Sequence, residues 1–295
     1  MCNLLRYFTG LLTVVSACAW QLSAQTFPVS GTQIDVDLLG NIYILNGEQN
    51  TLRLLSKENT IIREVGGSGW QNEQFDRPSG IWARNGIDVF VADFGNHRIQ
   101  RFDRQLNYIS TLSTRDSDNP EERFGYPCDV AMSRLADLYI CDTENSRIVM
   151  VNGVNRAQLT FGGFGGGKGR LQNPSRVKLG PKDFLFVLDA PRVLVYDSFG
   201  NYVRELCEGL LKKPTSLFAD QNSVVVLDGN LMYCFDLEVR PAGTLPVSSL
   251  VANDPDQVRS MTFSNGRLYL LVANALVILP DPRAALVEQG LEKNE

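Results

Sequence analysis

Short apolar and β-branched runs, separated by turn-forming residues, dominate the chain. The clearest set comprises Pro78–Ala83, Ile87–Asp93 and Asn96–Asp103. Each run has the length and residue types that are typical of a strand. No segment between residues 30 and 280 shows a 3.6-residue apolar period of helix length, so the pattern predicts an all-β protein.

The same set of runs recurs about every 47 residues, which is the sign of a repeat architecture. A proline opens the repeats at Pro28, Pro78, Pro127, Pro174 and Pro214. The second run carries an aromatic or aliphatic residue at Tyr43, Phe90, Tyr139, Phe186, Val225 and Tyr269. It closes on a polar residue at Asn46, Asp93, Asp142, Asp189 and Asp228. A repeated unit of four short antiparallel strands predicts a six-bladed β-propeller, with a sixth blade around residues 260–279 that lacks the proline and the aspartate.

The repeats resemble a known family. Pro78-Ser79-Gly80-Ile81, the run from Phe90 to Phe102, and Asp37–Tyr43 are similar to the NHL repeat over about residues 27–280. The resemblance implies a six-bladed propeller. It implies little about activity, because NHL propellers serve as binding platforms, as sensor domains and occasionally as lyases.

The N-terminus has a different composition from the repeats. Arg6 precedes a mainly apolar run from Tyr7 to Ala19, and small residues follow at Ser23-Ala24. This layout predicts a secretory signal peptide over residues 1–24. Val15-Ser16-Ala17-Cys18 resembles a bacterial lipobox, so acylation of Cys18 is an alternative, and a buried N-terminal helix is a third. We therefore expect an exported protein, periplasmic, outer-membrane-associated or secreted, that meets a membrane only through such an anchor.

The domain organisation that follows is simple. The signal occupies residues 1–24, one propeller occupies 25–280, and 281–295 form a C-terminal tail, either a short helix or a frayed end. The net charge of −5 argues against a nucleic-acid partner, which would need a basic face to neutralise phosphates.

Four cysteines lie beyond the signal, at Cys128, Cys141, Cys207 and Cys234, and none forms a CxxC motif. Cys128 starts the first strand of the third unit, and Cys141 closes the second strand of the same antiparallel hairpin. Opposed residues of such a hairpin come within disulfide range. Two interpretations stay open: a disulfide in an oxidising compartment, or two small reduced core residues.

Three sequence features suggest chemistry but fit a structural role better. The run Gly162–Gly169 approaches a P-loop, but Gly169 stands where Ser or Thr should be, and no helix follows. His97 is the only histidine, so it cannot supply the several ligands of a zinc lyase. Asp93 with Arg98, and Asp142 with Arg147, are spaced to form an ion pair across the turn that follows the second strand. Asp189 and Arg192 are closer in sequence, which predicts a different turn.

A calcium-dependent lactonase would need several carboxylates at the mouth of the axial channel. The residues expected there, two after each blade proline, are Ser30, Gly80, Asp129, Arg176 and Ser216. One carboxylate beside one arginine is not a cation cage. We therefore expect no cofactor, no metal and no enzymatic activity, with a lactonase-like or lyase-like enzyme as the alternative.

The loop charges suggest a binding surface. Glu73, Asp76, Asp116, Asp118, Glu121, Glu122 and Glu144 follow one another in the second and third units. Lys168, Arg170, Arg176, Arg192, Lys212 and Lys213 follow in the fourth and fifth. Such a divided field can orient a partner, and Trp70 on the same face would strengthen binding if exposed. The candidate partner-binding residues are thus Trp70, Glu121, Glu122 and the six cations. We interpret the protein as an interaction or scaffold module of the bacterial cell envelope that binds a protein, or alternatively a glycan. A structural subunit of a larger envelope assembly is a further alternative.

Overall fold

The computed structural model describes residues 24–152, 157–251 and 257–283. These residues form six antiparallel sheets of four strands each, arranged as a six-bladed β-propeller. In the described part of the chain the helical elements are short 3₁₀ turns only. The predicted fold class and blade count are confirmed.

In blades 1 to 5 the strands follow the sequence order, and blade 6 adds the N-terminal strand. Blade 1 consists of β2 (Gln33–Val36), β3 (Ile42–Asn46), β4 (Thr51–Leu55) and β5 (Ile61–Gly66). Blade 2 consists of β6 (Pro78–Trp82), β7 (Asp88–Asp93), β8 (Arg98–Asp103) and β9 (Tyr108–Leu112). Blade 3 consists of β10 (Pro127–Met132), β11 (Leu138–Asp142), β12 (Arg147–Val151) and β13 (Ala157–Phe161). Blade 4 consists of β14 (Arg176–Leu179), β15 (Leu185–Asp189), β16 (Arg192–Tyr196) and β17 (Tyr202–Leu206). Blade 5 consists of β18 (Pro214–Ala219), β19 (Val224–Asp228), β20 (Leu231–Phe235) and β21 (Pro241–Pro246). Blade 6 consists of β22 (Val258–Ser264), β23 (Arg267–Val272), β24 (Ala275–Pro280) and β1 (Gln25–Pro28).

The N-terminal strand closes the propeller. β1 is antiparallel to β24, with Gln25 opposite Ile278 and Pro28 opposite Ala275, so it supplies the outer strand of blade 6. Because β1 leads directly into blade 1, its pairing with β24 ties the first blade to the last. Pro28 therefore does not open blade 1, and its assignment to the series of blade prolines was wrong.

The core lies between neighbouring blades. The second strands β3, β7, β11 and β15 are buried along their whole length. A strand that is covered on both faces has a nearly continuous apolar run in place of strict alternation. The aromatic or aliphatic residues that marked the repeat, from Tyr43 to Tyr269, all lie in these second strands and are buried.

The loops form two opposite faces. We call the upper face the one formed by the connections after the second and the fourth strand of each blade. Hydrogen bonds between these two kinds of connection show that they share a face: the Gly95 amide donates to the Asp76 carbonyl at 2.8 Å, and the Glu144 amide to the Gly125 carbonyl at 3.3 Å. The lower face carries the connections after the first and third strands.

The signal interpretation and most of the predicted tail lie outside the described residues. Of the tail, Asp281–Arg283 is described and packs against the lower end of the channel. Among the described residues no helix is long and apolar enough to cross a membrane.

Candidate partner-binding face

Buried ion pairs hold the loops of the upper face. Arg98 lies opposite Asp93 across the β7–β8 hairpin, and its Nε donates to Asp93 Oδ2 at 2.7 Å. Its two terminal nitrogens donate to the main-chain carbonyls of Trp70, Gln71 and Gln74 at 2.7–2.8 Å. The predicted turn-locking ion pair is confirmed, and it also fixes the loop that enters blade 2.

The same kind of buried ion pair occurs in blades 3 and 4. Arg147 Nε donates to Asp142 Oδ2 at 3.0 Å and its Nη2 to the Arg123 carbonyl at 2.7 Å. Arg192 pairs with Asp189 and donates to the Arg170 carbonyl at 3.1 Å. The Arg192 pair spans a two-residue turn, which is the different turn that its sequence spacing predicted. All three aspartates are buried, so each anchor is a charge-assisted bond shielded from water.

Two large aromatic side chains project from these anchored loops. Trp70 is 77% exposed and Phe164 is 88% exposed. Trp70 is therefore not buried between blades, and it meets the condition of exposure that a part in binding requires. Arg170 lies over the Phe164 ring, with its guanidinium carbon 4.8 Å from the ring centre. Exposed aromatic rings beside arginine are the side chains most often found at binding hot spots.

A groove of about 560 Å³ lies beside Phe164, between blades 3 and 4. Its walls combine aromatic rings, two opposite charges and bare glycine backbone. They include Glu121, Arg147, Phe161, Phe164 and Tyr202 together with the glycines from Gly162 to Gly166. Arg147 donates to the Glu121 carboxylate at 3.0 Å, so the charges at the groove are paired with each other. Burial raises the pKa of the Tyr202 phenol above its ordinary value, which keeps it a neutral hydrogen-bonding group.

The acidic sector is weaker than its sequence suggests. Glu144 pairs with Arg115 at 2.8 Å, and Glu121 with Arg147. Glu122 is held within its own loop, where it accepts bonds from Ser117 and Asn119. Neighbouring arginines thus neutralise part of this sector.

The basic sector is divided between surface and interior. Lys168, Arg170, Lys212 and Lys213 are exposed. Arg192 is half-buried in its ion pair, and Arg176 is half-buried and lines the axial channel. Four of the six predicted cations are therefore on the surface and two are not. Arg192 and Arg176 each occupy the first position of a strand, where the side chain points inward.

The glycine-rich run does not form a phosphate cradle. Gly167–Gly169 form one 3₁₀ turn and the chain then continues into β14. The Leu171 amide donates to the Gly162 carbonyl at 2.8 Å, which folds the run back on itself as an inter-blade loop. Gly162 and Gly167 have positive φ angles, which glycine adopts without steric cost.

His97 has a structural role. Its Nδ1 accepts a hydrogen bond from the Tyr126 amide at 3.1 Å and lies 3.1 Å from Arg115 Nη1. Its ring packs on the Tyr126 ring at a centre-to-centre distance of 4.0 Å. Partial burial and the Arg115 guanidinium lower the pKa of His97. A neutral imidazole that accepts at Nδ1 joins the two loops, and the structural assignment is supported.

Four charged side chains and several side chains with hydroxyl groups line the axial channel. Around it lie Gln33, Asp35, Arg84, Arg176, Lys178, Ser216, Ser260 and Thr262. Asp129 Oδ2 binds the Lys178 ammonium at 2.8 Å and the Val177 amide at 3.0 Å. The sequence predicts an ion pair with Arg176 instead, which is wrong, because Arg176 donates to the Ser175 carbonyl. Ser30 was wrongly placed at the mouth, because the shift at Pro28 makes Gln33 the residue equivalent to Gly80. In the described part of the chain no group of three or more His, Cys, Asp or Glu side chains is arranged to hold a metal.

Two arginines close the lower end of the channel. Arg84 crosses it to donate to the Ala219 carbonyl at 2.7 Å and to the Phe263 carbonyl at 3.1 Å. Arg283 covers the same end, with its guanidinium carbon 4.0 Å from the centre of the Phe263 ring. Cation–π and hydrogen-bond contacts thus seal the channel on the lower side.

The two cysteines of blade 3 meet as the hairpin predicted. Cys128 lies at a register shift of the β10–β11 pair, opposite Cys141, and the sulfur atoms are 2.7 Å apart. Both are buried and unbonded in this structure. Cys128 also contacts the Pro174 carbonyl at 3.2 Å, just as the equivalent Ser79 donates to the Pro127 carbonyl at 3.1 Å. The disulfide stays a prediction.

Phe164 was missed at the sequence level. It lies inside the glycine-rich run, which was interpreted only as a possible phosphate-binding loop, although Phe164 is the large apolar side chain of that run. The composition of the run could have revealed it, because a loop that consists mainly of glycine has too few side chains to cover a phenylalanine.

Comparisons with known proteins agree on the fold. No family model matches the chain. Among curated proteins, the "Protein brain tumor" of Drosophila melanogaster is 28% identical over 149 residues, which is 48% of this chain and 13% of that protein. The match therefore spans a small part of a much longer protein.

Solved structures with the same fold include lyases and WD40 repeats. A streptogramin B lyase superposes with a TM-score of 0.59 at 14% identity, over 83% of this chain and 77% of that one. The virginiamycin B lyase of Staphylococcus aureus gives 0.59 at 11% identity, over 87% and 98%. The WD40 repeats of RRP9 give 0.62 at 11% identity, over 88% and 97%. At such identities the likeness establishes a shared propeller fold and no shared activity.

Proposed function

We propose that this protein is an exported, NHL-type β-propeller that acts as a non-enzymatic protein-interaction module of the bacterial cell envelope. The observation that carries the proposal is the pair of exposed aromatic side chains, Trp70 and Phe164, on loops held by buried ion pairs. Rigid loops lose little conformational entropy on binding, so a partner gains most of the contact energy.

The partner class follows from the chemistry of the upper face. Two large aromatic rings supply apolar contact area, Arg170 lies over the second ring, and the exposed cations Lys168, Lys212 and Lys213 lie on connections of the same face. An acidic protein segment with apolar side chains matches this combination. A glycan that stacks on Phe164 and binds in the groove is the alternative.

The arrangement of the channel favours binding over catalysis. Its charged side chains make bonds to one another or to the backbone, as Asp129 Oδ2 does to Lys178 and Arg84 to two carbonyls, while Asp129 Oδ1 is buried without a hydrogen-bond partner. The only histidine is bound between two loops of the upper face. A lyase-like or lactonase-like activity is the rival proposal, and it rests on the fold alone.

Site-specific photo-crosslinking tests the proposed surface. A photoreactive residue at position 70 or 164 should crosslink one discrete protein in the native envelope. The same residue at Ile61, an exposed position on the outer strand of blade 1, is the matched control. Equal crosslinking from position 61, or none from 70 and 164, would defeat the proposal.

Charge reversal gives a second measurement once the partner is known. Replacing Lys212 and Lys213 together by Glu should slow association and reduce its dependence on salt, with little change in stability, because both side chains are exposed. Unchanged association at low salt would rule this sector out.

The proposed location is tested separately by intact mass. Protein taken from the envelope should lack residues 1–24, or should begin at a lipidated Cys18. A mature protein that still begins at Met1 would contradict export by either route.

A further inference from the structure

The lower face carries a ring of exposed apolar side chains. Five of the six blades contribute a large one, at the tip of a connection after the first or third strand. They are Leu38 and Leu39 in blade 1, Ile87 in blade 2, Leu135 in blade 3, Phe199 in blade 4 and Leu237 in blade 5. Leu135 is 86% exposed and Phe199 is 77% exposed. A single exposed apolar residue is ordinary, but exposed apolar residues from five blades on one face indicate an interaction surface.

Contacts between neighbouring loops show that these tips share one surface. Asn265 in blade 6 lies 3.5 Å from the Leu38 carbonyl, and Leu39 lies against Gly86, beside Ile87. Further round, Arg134 pairs with Asp183 at 2.7 Å. Lys182 in turn pairs with Glu238, next to Leu237. The turns of blades 6, 1 and 2, and those of blades 3, 4 and 5, therefore lie side by side on the lower face, and we call the exposed apolar side chains at the tips of this face the ring.

The N-terminal segment enters the propeller at this same face. β1 begins at Gln25, which lines a recess together with Asn265, Gly266 and Pro280. Asn265 is also the residue that contacts the Leu38 carbonyl. The apolar segment that precedes Gln25 in the sequence is thus attached on the side of the ring, away from Trp70 and Phe164.

The length of the connection limits where the ring can lie. Six residues lie between Cys18, the acylation site of the lipobox interpretation, and Gln25, so seven Cα–Cα steps join the two. An extended chain of that length spans at most about 25 Å. An acyl chain at Cys18 would hold the edge of the lower face within that distance of the membrane.

The distribution of side chains fits a flat apolar boundary better than a protein partner. Hot spots of protein interfaces cluster near the centre of the contact. Here the centre is closed by the polar groups of Arg84 and Arg283, and the apolar side chains form the periphery. A bilayer surface can contact every point of such a ring at once.

The charges of the lower face agree with this. Arg134 is paired with Asp183, and Arg240 with Asp236 at 2.8 Å. These pairs neutralise the charges that flank Leu135 and Leu237. Arg104 and Arg267 are further exposed cations on this face, and cations attract anionic headgroups. Apolar side chains between neutralised ion pairs suit the interfacial region of a membrane, where apolar groups insert among polar headgroups.

We propose that the lower face docks on a lipid bilayer, with the ring from Leu38 to Leu237 inserted at the headgroup level, so that the upper face points away from the membrane. The orientation is independent of the identity of the upper-face partner. It adds to the proposed function a fixed presentation of Trp70 and Phe164 toward the aqueous compartment.

Depth-dependent fluorescence tests the proposal on the full chain reconstituted in vesicles of phosphatidylethanolamine and phosphatidylglycerol. Leu135→Cys and Phe199→Cys place a polarity-sensitive fluorophore on the lower face, and Phe164→Cys is the matched upper-face control. The described native cysteines are buried, and labelling of the chain without an added cysteine gives the background. Lipids brominated in the acyl chains should quench the emission at positions 135 and 199 by about half or more, and should leave position 164 unchanged.

Other occupants give other results. Emission that is blue-shifted at 135 and 199 but unquenched would mean that protein covers the ring, either another segment of this chain or a second copy, and would overturn the proposal. Solvent-like emission at both positions on vesicles, or equal quenching at 164, would overturn it as well.

Hydrogen exchange of the unlabelled chain checks the result without substitutions. Vesicles should slow amide exchange in residues 37–41 and 133–137 and should leave the exchange of residues 67–77 unchanged. Crosslinking from positions 70 and 164 reports the upper face alone, so failure of one proposal is distinguishable from failure of the other.

Discussion

Arg98 binds the buried carboxylate of Asp93 at 2.7 Å and, with the same guanidinium group, the carbonyl of Trp70. One side chain thus satisfies a charge inside blade 2 and fixes the loop that exposes a tryptophan on the upper face. The repeated aspartate of the sequence pattern is therefore a loop anchor, and the partner-binding face depends on it.

Loss of this anchor should be costly. Arg98→Met leaves the Asp93 carboxylate buried without its counter-ion, so we expect the free energy of unfolding to fall by about 3–5 kcal/mol. Urea unfolding measures it. The control is Arg134→Met, whose ion pair with Asp183 is solvent-exposed and should contribute less than about 1 kcal/mol. Similar losses in the two variants would show that Arg98 does not anchor the loop.

The closest approach of two inner strands depends on Gly80. A Cβ atom at this position would lie 2.5 Å from Asp129 Cα and 2.7 Å from the Cys128 carbonyl oxygen, both of which are backbone atoms. Gly80→Ala should therefore force β6 and β10 apart and lower the free energy of unfolding by about 1–3 kcal/mol. Gly165 has no atom within 4 Å of its Cβ position, so Gly165→Ala should change the stability by less than about 1 kcal/mol. Thermal unfolding of the two variants compares them directly, and equal melting temperatures would contradict the close contact.

The redox state of Cys128 and Cys141 should depend on the compartment that holds the protein. In protein exported to an oxidising compartment we expect a Cys128–Cys141 bond, because register and burial hold the two side chains together. The bond closes a short loop and should add about 3 kcal/mol of stability. Peptide mapping without reductant detects it, and protein retained in the cytosol is the control. Complete alkylation of both thiols of the exported, denatured protein would exclude the bond, while Cys207 and Cys234 should be alkylated in either sample.

Alkaline pH should destabilise the fold through its separate cysteines. Burial raises the pKa of Cys207 and of Cys234 to about 12. The unfolded thiols lose their protons near pH 8.5, so above that value the native state holds more protons than the unfolded state. The contribution of the two thiols to the free energy of unfolding is then complete below about pH 8.5. Above that pH the free energy of unfolding falls by about 1.4 kcal/mol per pH unit for each cysteine.

Paired urea titrations isolate that contribution. The Cys207→Ala, Cys234→Ala double variant is less stable at neutral pH because it loses core volume, but its stability should decline less steeply between about pH 9 and pH 10.5. Parallel declines in the two proteins would mean that neither thiol resists ionisation. Buried tyrosines such as Tyr43 and Tyr196, whose pKa values are also raised, add the same slope to both proteins.

Much of the fold was determined by the sequence alone. The spacing of Pro78 and Asp93, and of their equivalents, predicts blade boundaries because each pair closes one hairpin. The second strands were located because a strand between two blades needs apolar residues on both faces. The ion pairs of Asp93 and Asp142 were predictable for the same local reason: carboxylate and guanidinium lie directly opposite each other across a short turn.

The tertiary structure alone decided what is distant along the chain. Pro28 fits the proline series in sequence, yet the closing of the propeller draws it into blade 6, a contact between residues about 250 positions apart that no local pattern contains. Arg176 and Lys212 look alike as cations, but the direction of a strand turns the first into the channel and leaves the second exposed. The ring from Leu38 to Leu237 was invisible for the same reason, since its members are single residues in separate turns and only the circular arrangement of the blades brings them to one face.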